Sequence, residues 1–150
     1  MLKAVLDTQL ILRGAASARP SITSKIFDAW GDGRFTLLVS EPILAEIQDV
    51  LSRPEVLRRL RMRSLEAGAL IELLRRKSVL ITPTVQVTRS RDPDDDKFLE
   101  CAIAGGADYV VSADGDLLSL GDAQGIPIVD APAFWQVLVG EARDQGLRPE

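Results

Sequence analysis

Short apolar runs alternate with stretches of helical periodicity along this chain, and a polypeptide patterned that way has few routes to a buried core. The runs occupy residues 3–7, 35–40, 78–81, 108–112 and 126–130. Between them, apolar residues recur at helical spacing over 21–32, 40–53, 54–62, 64–77, from 92 to the Gly105-Gly106 pair, and from Ala131 onward. Ser40 stands at an N-cap position with Pro42 in the first turn, and Asp92 does the same ahead of Pro93. Strands that alternate with helices predict a mainly parallel sheet covered on both faces, a three-layer α/β/α sandwich. The pattern assigns no element to residues 8–20.

A chain of 150 residues that is 46% hydrophobic suits one domain, with a core over about 2–140 and a loose tail from Asp144. Its one cysteine, Cys101, lies on the apolar side of a predicted helix, which excludes an internal disulfide and fits a reducing compartment. The apolar start is broken at Asp7, and no stretch approaches the roughly 18 apolar residues of a membrane span. A cytoplasmic protein, with no membrane partner, is expected. The chain has no histidine, so Ser-His-Asp and Cys-His catalysis and imidazole-bound zinc are excluded.

The acids fall where the strands end. Asp7 closes the first run, and Glu46 lies in the second turn of the helix after the second. Asp92, Asp94, Asp95 and Asp96 open the helix after the third, and Asp114 and Asp116 follow the fourth. In open parallel sheets that edge is where ligands bind. Carboxylates from four segments would converge there, and such a group repels itself unless cations lie between. Oxygen-only ligands favour Mg²⁺ or Mn²⁺, and a pair of such ions can hydrolyse a phosphodiester without histidine. Asp95 precedes Phe98, Leu99 and Ala102 by three, four and seven residues, on the inward stripe, whereas Asp96 points more sideways. Asp95 is therefore the first choice of ligand, Asp96 the second, and Asp92 the cap.

The segments "VLDTQLIL", "SEPILAEIQDVL" and "DPDDDKFLECAIAGGADYVVSADGDLL", in that order, resemble the motifs of the PIN nuclease family over residues 2 to about 135. The likeness is greatest to the bacterial branch of toxin components of toxin-antitoxin pairs. It implies a PIN-like sandwich and a metal-dependent endoribonuclease with Asp7, Glu46, Asp95 and Asp114 as its catalytic and metal-binding quartet. Asp96 and Asp116 would be auxiliary metal ligands, and the Thr8 and Ser112 hydroxyls would hold a ligand or a bridging water. The family usually carries Asn where this chain has Gln9, one methylene longer, and often Gly where it has Ala113.

Residues 53–77 hold eight basic and three acidic side chains, a local charge of +5 in a chain of net −4. Arg58, Arg59 and Arg61 of this segment are the candidates for RNA phosphates. The expected partners are RNA and a small antitoxin protein, with room for a homodimer. Two other readings stay open: a nuclease-fold module that binds RNA or protein with chemistry weakened by Gln9, and an RNA-processing nuclease that is no toxin. A receiver-type phosphate enzyme ranks last, because the first strand supplies one acid and no lysine follows Lys97.

Overall fold

A computed structural model describes residues 1–16, 18–89, 92–144 and 146. Most of the expected loose tail, residues 145 and 147–150, lies outside the described residues, as does Arg91 at the head of the aspartate run.

The strands are β1 (Lys3–Leu6), β2 (Thr36–Val39), β3 (Val79–Leu80), β4 (Tyr109–Val111), β5 (Asp122–Ala123) and β6 (Ile126–Val129). They lie in the order β3-β2-β1-β4-β6-β5, all parallel except the β5–β6 pair. The helices are α1 (Thr8–Ala16), α2 (Ile22–Gly31), α3 (Glu41–Leu51), α4 (Pro54–Leu60), α5 (Ser64–Lys77), α6 (Asp96–Gly105), α7 (Gly115–Leu118) and α8 (Ala131–Asp144). The α/β sandwich with a mainly parallel sheet is thus what the alternation predicts.

Register shows how both faces are covered. Ala4 pairs with Leu37 and with Tyr109, so these three share one face, and Val5, Val110 and Leu38 point to the other. On the first face the Phe134 ring of α8 stands edge-on to Tyr109 and Phe35. On the second, Gly105 of α6 lies so close to β2 that a Cβ there would sit 2.7 Å from the Leu38 side chain. Gly106, at φ 64°, then ends α6 in the left-handed conformation that glycine adopts without strain. Val5, Val110, Leu99 and Phe134 are fully buried, and each such side chain contributes roughly 1.5–3 kcal/mol of burial.

Three features depart from expectation. Residues 8–16 form α1, capped by the Asp7 side chain, which accepts from Leu10 N at 2.9 Å. The aspartate run does not open directly as α-helix: Pro93–Asp95 is one turn of 3₁₀ helix capped by Asp92, and α6 starts at Asp96. β3 is an edge strand of two residues, both exposed, and β5 adds an antiparallel edge at the other side. Cys101 is buried, and burial pushes its thiol up to about 12, so it is an inert packing residue. No helix among the described residues is long and apolar enough to cross a membrane.

Candidate functional site

Sheet order puts the reversal of connection at β1 and β4. From β1 the chain moves to β2 and β3 on one side, then crosses to β4 on the other. At such a switch point the loops leaving two neighbouring strands diverge and open a crevice. Asp7 follows β1 and Ser112–Asp114 follows β4, so both sides of the crevice carry acids.

Asp7 is almost wholly buried and fully used. Its Oδ1 accepts from Leu10 N, and its Oδ2 accepts from Ser112 Oγ at 2.6 Å and Ala113 N at 2.9 Å. Its own N–H donates to Val111 O, tying the turn to β4. Ser112 Oγ in turn accepts from Asp114 N at 2.9 Å, and Asp114 Oδ1 accepts from Asp116 N at 2.8 Å, which starts α7. Asp7 thus holds the β4 loop against α1, and through Ser112 it sets the backbone that presents Asp114.

The other two acids come from helices on the far wall. Glu46 reaches in from α3, accepts the Thr8 hydroxyl on Oε2, and pairs with Lys97 Nζ at 2.8 Å through Oε1. Asp95, last residue of the 3₁₀ turn, lies half-buried beside Asp114. Its carboxyl is pushed up to about 7, first by burial, next by the hydrogen bond and charge of Asp114, then by the charges of Asp92 and Glu46. The buried Oδ2 of Asp95 receives no hydrogen bond from the described residues.

Asp7, Thr8, Gln9, Glu46, Asp95, Asp114 and Arg59 line one cleft of about 190 Å³. Donor chemistry there fits a hard divalent cation: oxygen ligands only, an acid whose pKa burial and neighbouring carboxylates raise, and a buried carboxylate oxygen without a donor among the described residues. As they stand, no three of these acids among the described residues surround one ion. The reason is visible in the contacts, since Lys97 and Thr8 hold Glu46 while Asp95 and Asp114 lean on each other.

Other predicted residues fall elsewhere. Asp96 is buried, but its Oδ1 accepts from Arg89 N at 3.3 Å, and it lines a separate hollow with Val87, Thr88 and Lys97. Consecutive residues in a helical turn point roughly 100–120° apart, so Asp95 and Asp96 face different hollows. Asp116 contributes its backbone to Asp114 and does not line the cleft. Asp92 stays exposed and caps the turn through Asp94 N at 3.0 Å. Both hydroxyls that the resemblance assigns to ligand or water are engaged by the acids, Thr8 on Glu46 and Ser112 on Asp7. Gln9 is exposed at the cleft. Of the three arginines, Arg59 reaches the acidic cleft, and with Arg61 it lines a neighbouring one that Arg58 does not. Lys97 was not foreseen as a site residue. Its place one turn before Cys101 at the head of an apolar helix was the available signal.

A family profile described as PIN domain matches residues 3–116. Among curated proteins, none matches. Among solved structures, "a domain of a functionally unknown protein" from Methanocaldococcus jannaschii DSM 2661 is similar, with TM-score 0.52 and 20% identity, covering 85% of this chain and 89% of that one. At that identity the likeness concerns the fold. With the profile spanning the first strand, the Glu46 helix, the aspartate run and the loop after β4, the chain belongs to the PIN domain family.

Proposed function

We propose that this protein is a metal-dependent endoribonuclease and the toxin of a toxin-antitoxin pair. PIN domains are generally nucleases and typically use divalent metals, which supports a hydrolase. The observation that carries the metal-dependent reading is Asp95, an acid whose pKa is pushed up to about 7 by burial and by crowding carboxylates, with a buried oxygen that nothing among the described residues satisfies.

Asp7, Glu46, Asp95 and Asp114 would hold Mg²⁺ or Mn²⁺; Asp96 and Asp116 do not line this cleft. A divalent ion supplies a water ionised at neutral pH and charge neutralisation at the phosphate oxygens. The chain does the positioning. Asp7 keeps its place through three donors, Lys97 and Thr8 fix the two oxygens of Glu46, and a cation held there would favour the ionised form of Asp95. Arg59 at the mouth offers positive charge to an incoming phosphate.

The toxin role rests on the resemblance, together with a groove of about 420 Å³ between α3, α4 and α5. Leu51, Leu57, Ala67 and Ile71 line it, with Glu72 and Arg75 at its edge. An amphipathic antitoxin helix would seat there. Exposed Gln9 favours the second reading, a binding module of weakened chemistry. Incubating labelled RNA with the protein in Mn²⁺ and in EDTA separates them: cleavage only with Mn²⁺, absent in Asp7→Asn, is expected of the nuclease. Binding without cleavage identifies the module. Growth arrest on expression alone, relieved by a co-purifying small protein encoded beside it, is expected of the toxin; harmless expression of an active enzyme points to RNA processing.

A further inference from the structure

We infer that a second cleft, walled by Arg13, Arg19, Arg59 and Arg61, seats backbone phosphates of single-stranded RNA next to the acidic site; this rests on the ribonuclease reading and extends it. The cleft measures about 650 Å³, and among the described residues no carboxylate lines it. Arg13 comes from the last turn of α1, Arg19 from the segment before α2, and Arg59 and Arg61 from the end of α4. Two separate parts of an acidic chain, α1 and the end of α4, therefore bring the Arg13, Arg59 and Arg61 guanidinium groups to one place, where they repel one another unless an anion joins them.

Elsewhere on the surface three arginines are neutralised. Arg53 pairs with Asp49, Arg63 with Glu66 and Arg75 with Glu41. Among the described residues Arg13, Arg59 and Arg61 have no such ion pair, and all three are exposed. Arg61 adds a backbone observation. It caps α4 in the left-handed conformation, at φ 54° and ψ 41°, where glycine or asparagine would sit with less strain. Strain retained at a residue whose side chain reaches the cleft points to use of that side chain.

Arg59 decides the occupant, since it lines both clefts and stands where they adjoin. A strand whose scissile phosphate enters the acidic cleft continues past Arg59 onto Arg13 and Arg61. Among the described residues no aromatic ring lines the basic cleft, so it offers charge without base stacking and should read no sequence.

The test is fluorescence anisotropy of a labelled single-stranded RNA of about a dozen nucleotides, in EDTA so that binding is read without cleavage. The Arg13→Ser/Arg61→Gly double variant should bind at least tenfold more weakly at low salt. Its plot of log affinity against log salt should flatten by about 1.4, the value for two phosphate contacts on a single strand. Arg61→Gly alone should melt about 2 °C higher, as the left-handed strain is relieved, yet bind RNA more weakly, a combination that loss of fold cannot produce. The control Arg53→Ser/Arg63→Ser should bind like wild type. Unchanged affinity and slope in the Arg13/Arg61 variant overturn the inference, as does tighter, Arg13- and Arg61-dependent binding of polyglutamate than of RNA. Parallel Mn²⁺ assays keep the two readings apart: unaltered RNA binding in the variant with intact cleavage overturns the cleft alone. Arginine-dependent binding with no cleavage overturns the nuclease reading and upholds the cleft.

Discussion

Asp7 and Asp95 face the same cleft and are built in opposite ways. Every oxygen of Asp7 is met by a donor, and its neighbours are strand ends and the first turn of a helix. Asp95 sits on a single turn of 3₁₀ helix among other acids, with an oxygen left bare and a pKa pushed up to about 7. The contrast teaches that one aspartate organises the site and the other is left unsatisfied for what binds there. Removing the first should cost the fold; removing the second should help it.

The largest effect is expected for Asp7→Ala. Leu10 N, Ser112 Oγ and Ala113 N lose their acceptor in a buried place, at a cost of about 3 kcal/mol, or a fall of roughly 6–12 °C in melting temperature. Cleavage should drop on the order of a hundredfold or more at temperatures where the variant is folded. Calorimetry and an RNA assay check both, and a melting temperature equal to wild type would dissolve the contrast.

Next comes Lys97→Gln. The Lys97–Glu46 pair is mostly shielded from water, so breaking it leaves Glu46 facing three other acids. The metal-free protein should lose between about 1 and 3 kcal/mol. Because the built-in cation is gone, its melting temperature should rise more steeply with Mn²⁺ than that of wild type. A shallower rise would make Lys97 a partner of the metal site and not its substitute.

Asp95→Asn should run the other way. With a folded pKa of about 7 against an ordinary 3.8, the native state holds a proton that the unfolded chain releases between about pH 4 and pH 7. Stability of the metal-free protein therefore falls as pH rises through that window, and the penalty is complete above about 7. The carboxyl is partly solvated, which limits the gain from Asp95→Asn at pH 8 to on the order of 1 kcal/mol, or about 2–4 °C. At pH 4 the variant and wild type should melt together. The smallest change is Gln9→Asn, exposed at the rim, which should leave stability within about 0.5 kcal/mol while altering the cleavage rate.

Local signals made much of this readable in the sequence. Ser40, Asp92 and the Gly105-Gly106 pair mark helix ends by side-chain capping and backbone freedom, and all three act as their types suggest. Acids at strand ends meet because parallel strands share one exit edge, which needs only the alternation to be seen. α1 was hidden because its cap, Asp7, also ends a strand, and Gly14 with two alanines interrupts the apolar pattern. Helical spacing put Asp95 inward and Asp96 aside, and Asp95 lines the cleft while Asp96 lines another hollow; the 3₁₀ winding of Pro93–Asp95 left no mark in the residue pattern. Arg13 and Arg19 lie far in sequence from Arg59 and Arg61, and only the packing of α1, α2 and α4 brings them to one cleft. Arg58 shares the basic run, yet one position of helical rotation takes it out of that cleft.

The most direct measurement is a Mn²⁺ titration at pH 8, followed by melting temperature, of wild type beside Asp95→Asn. Wild type should start lower and climb with Mn²⁺, by about 2.7 kcal/mol or roughly 5–11 °C at a hundredfold excess over Kd, while Asp95→Asn starts higher and stays nearly flat. Parallel climbs in the two proteins, or no climb in either, would contradict the account of Asp95 as the unsatisfied ligand of a metal site.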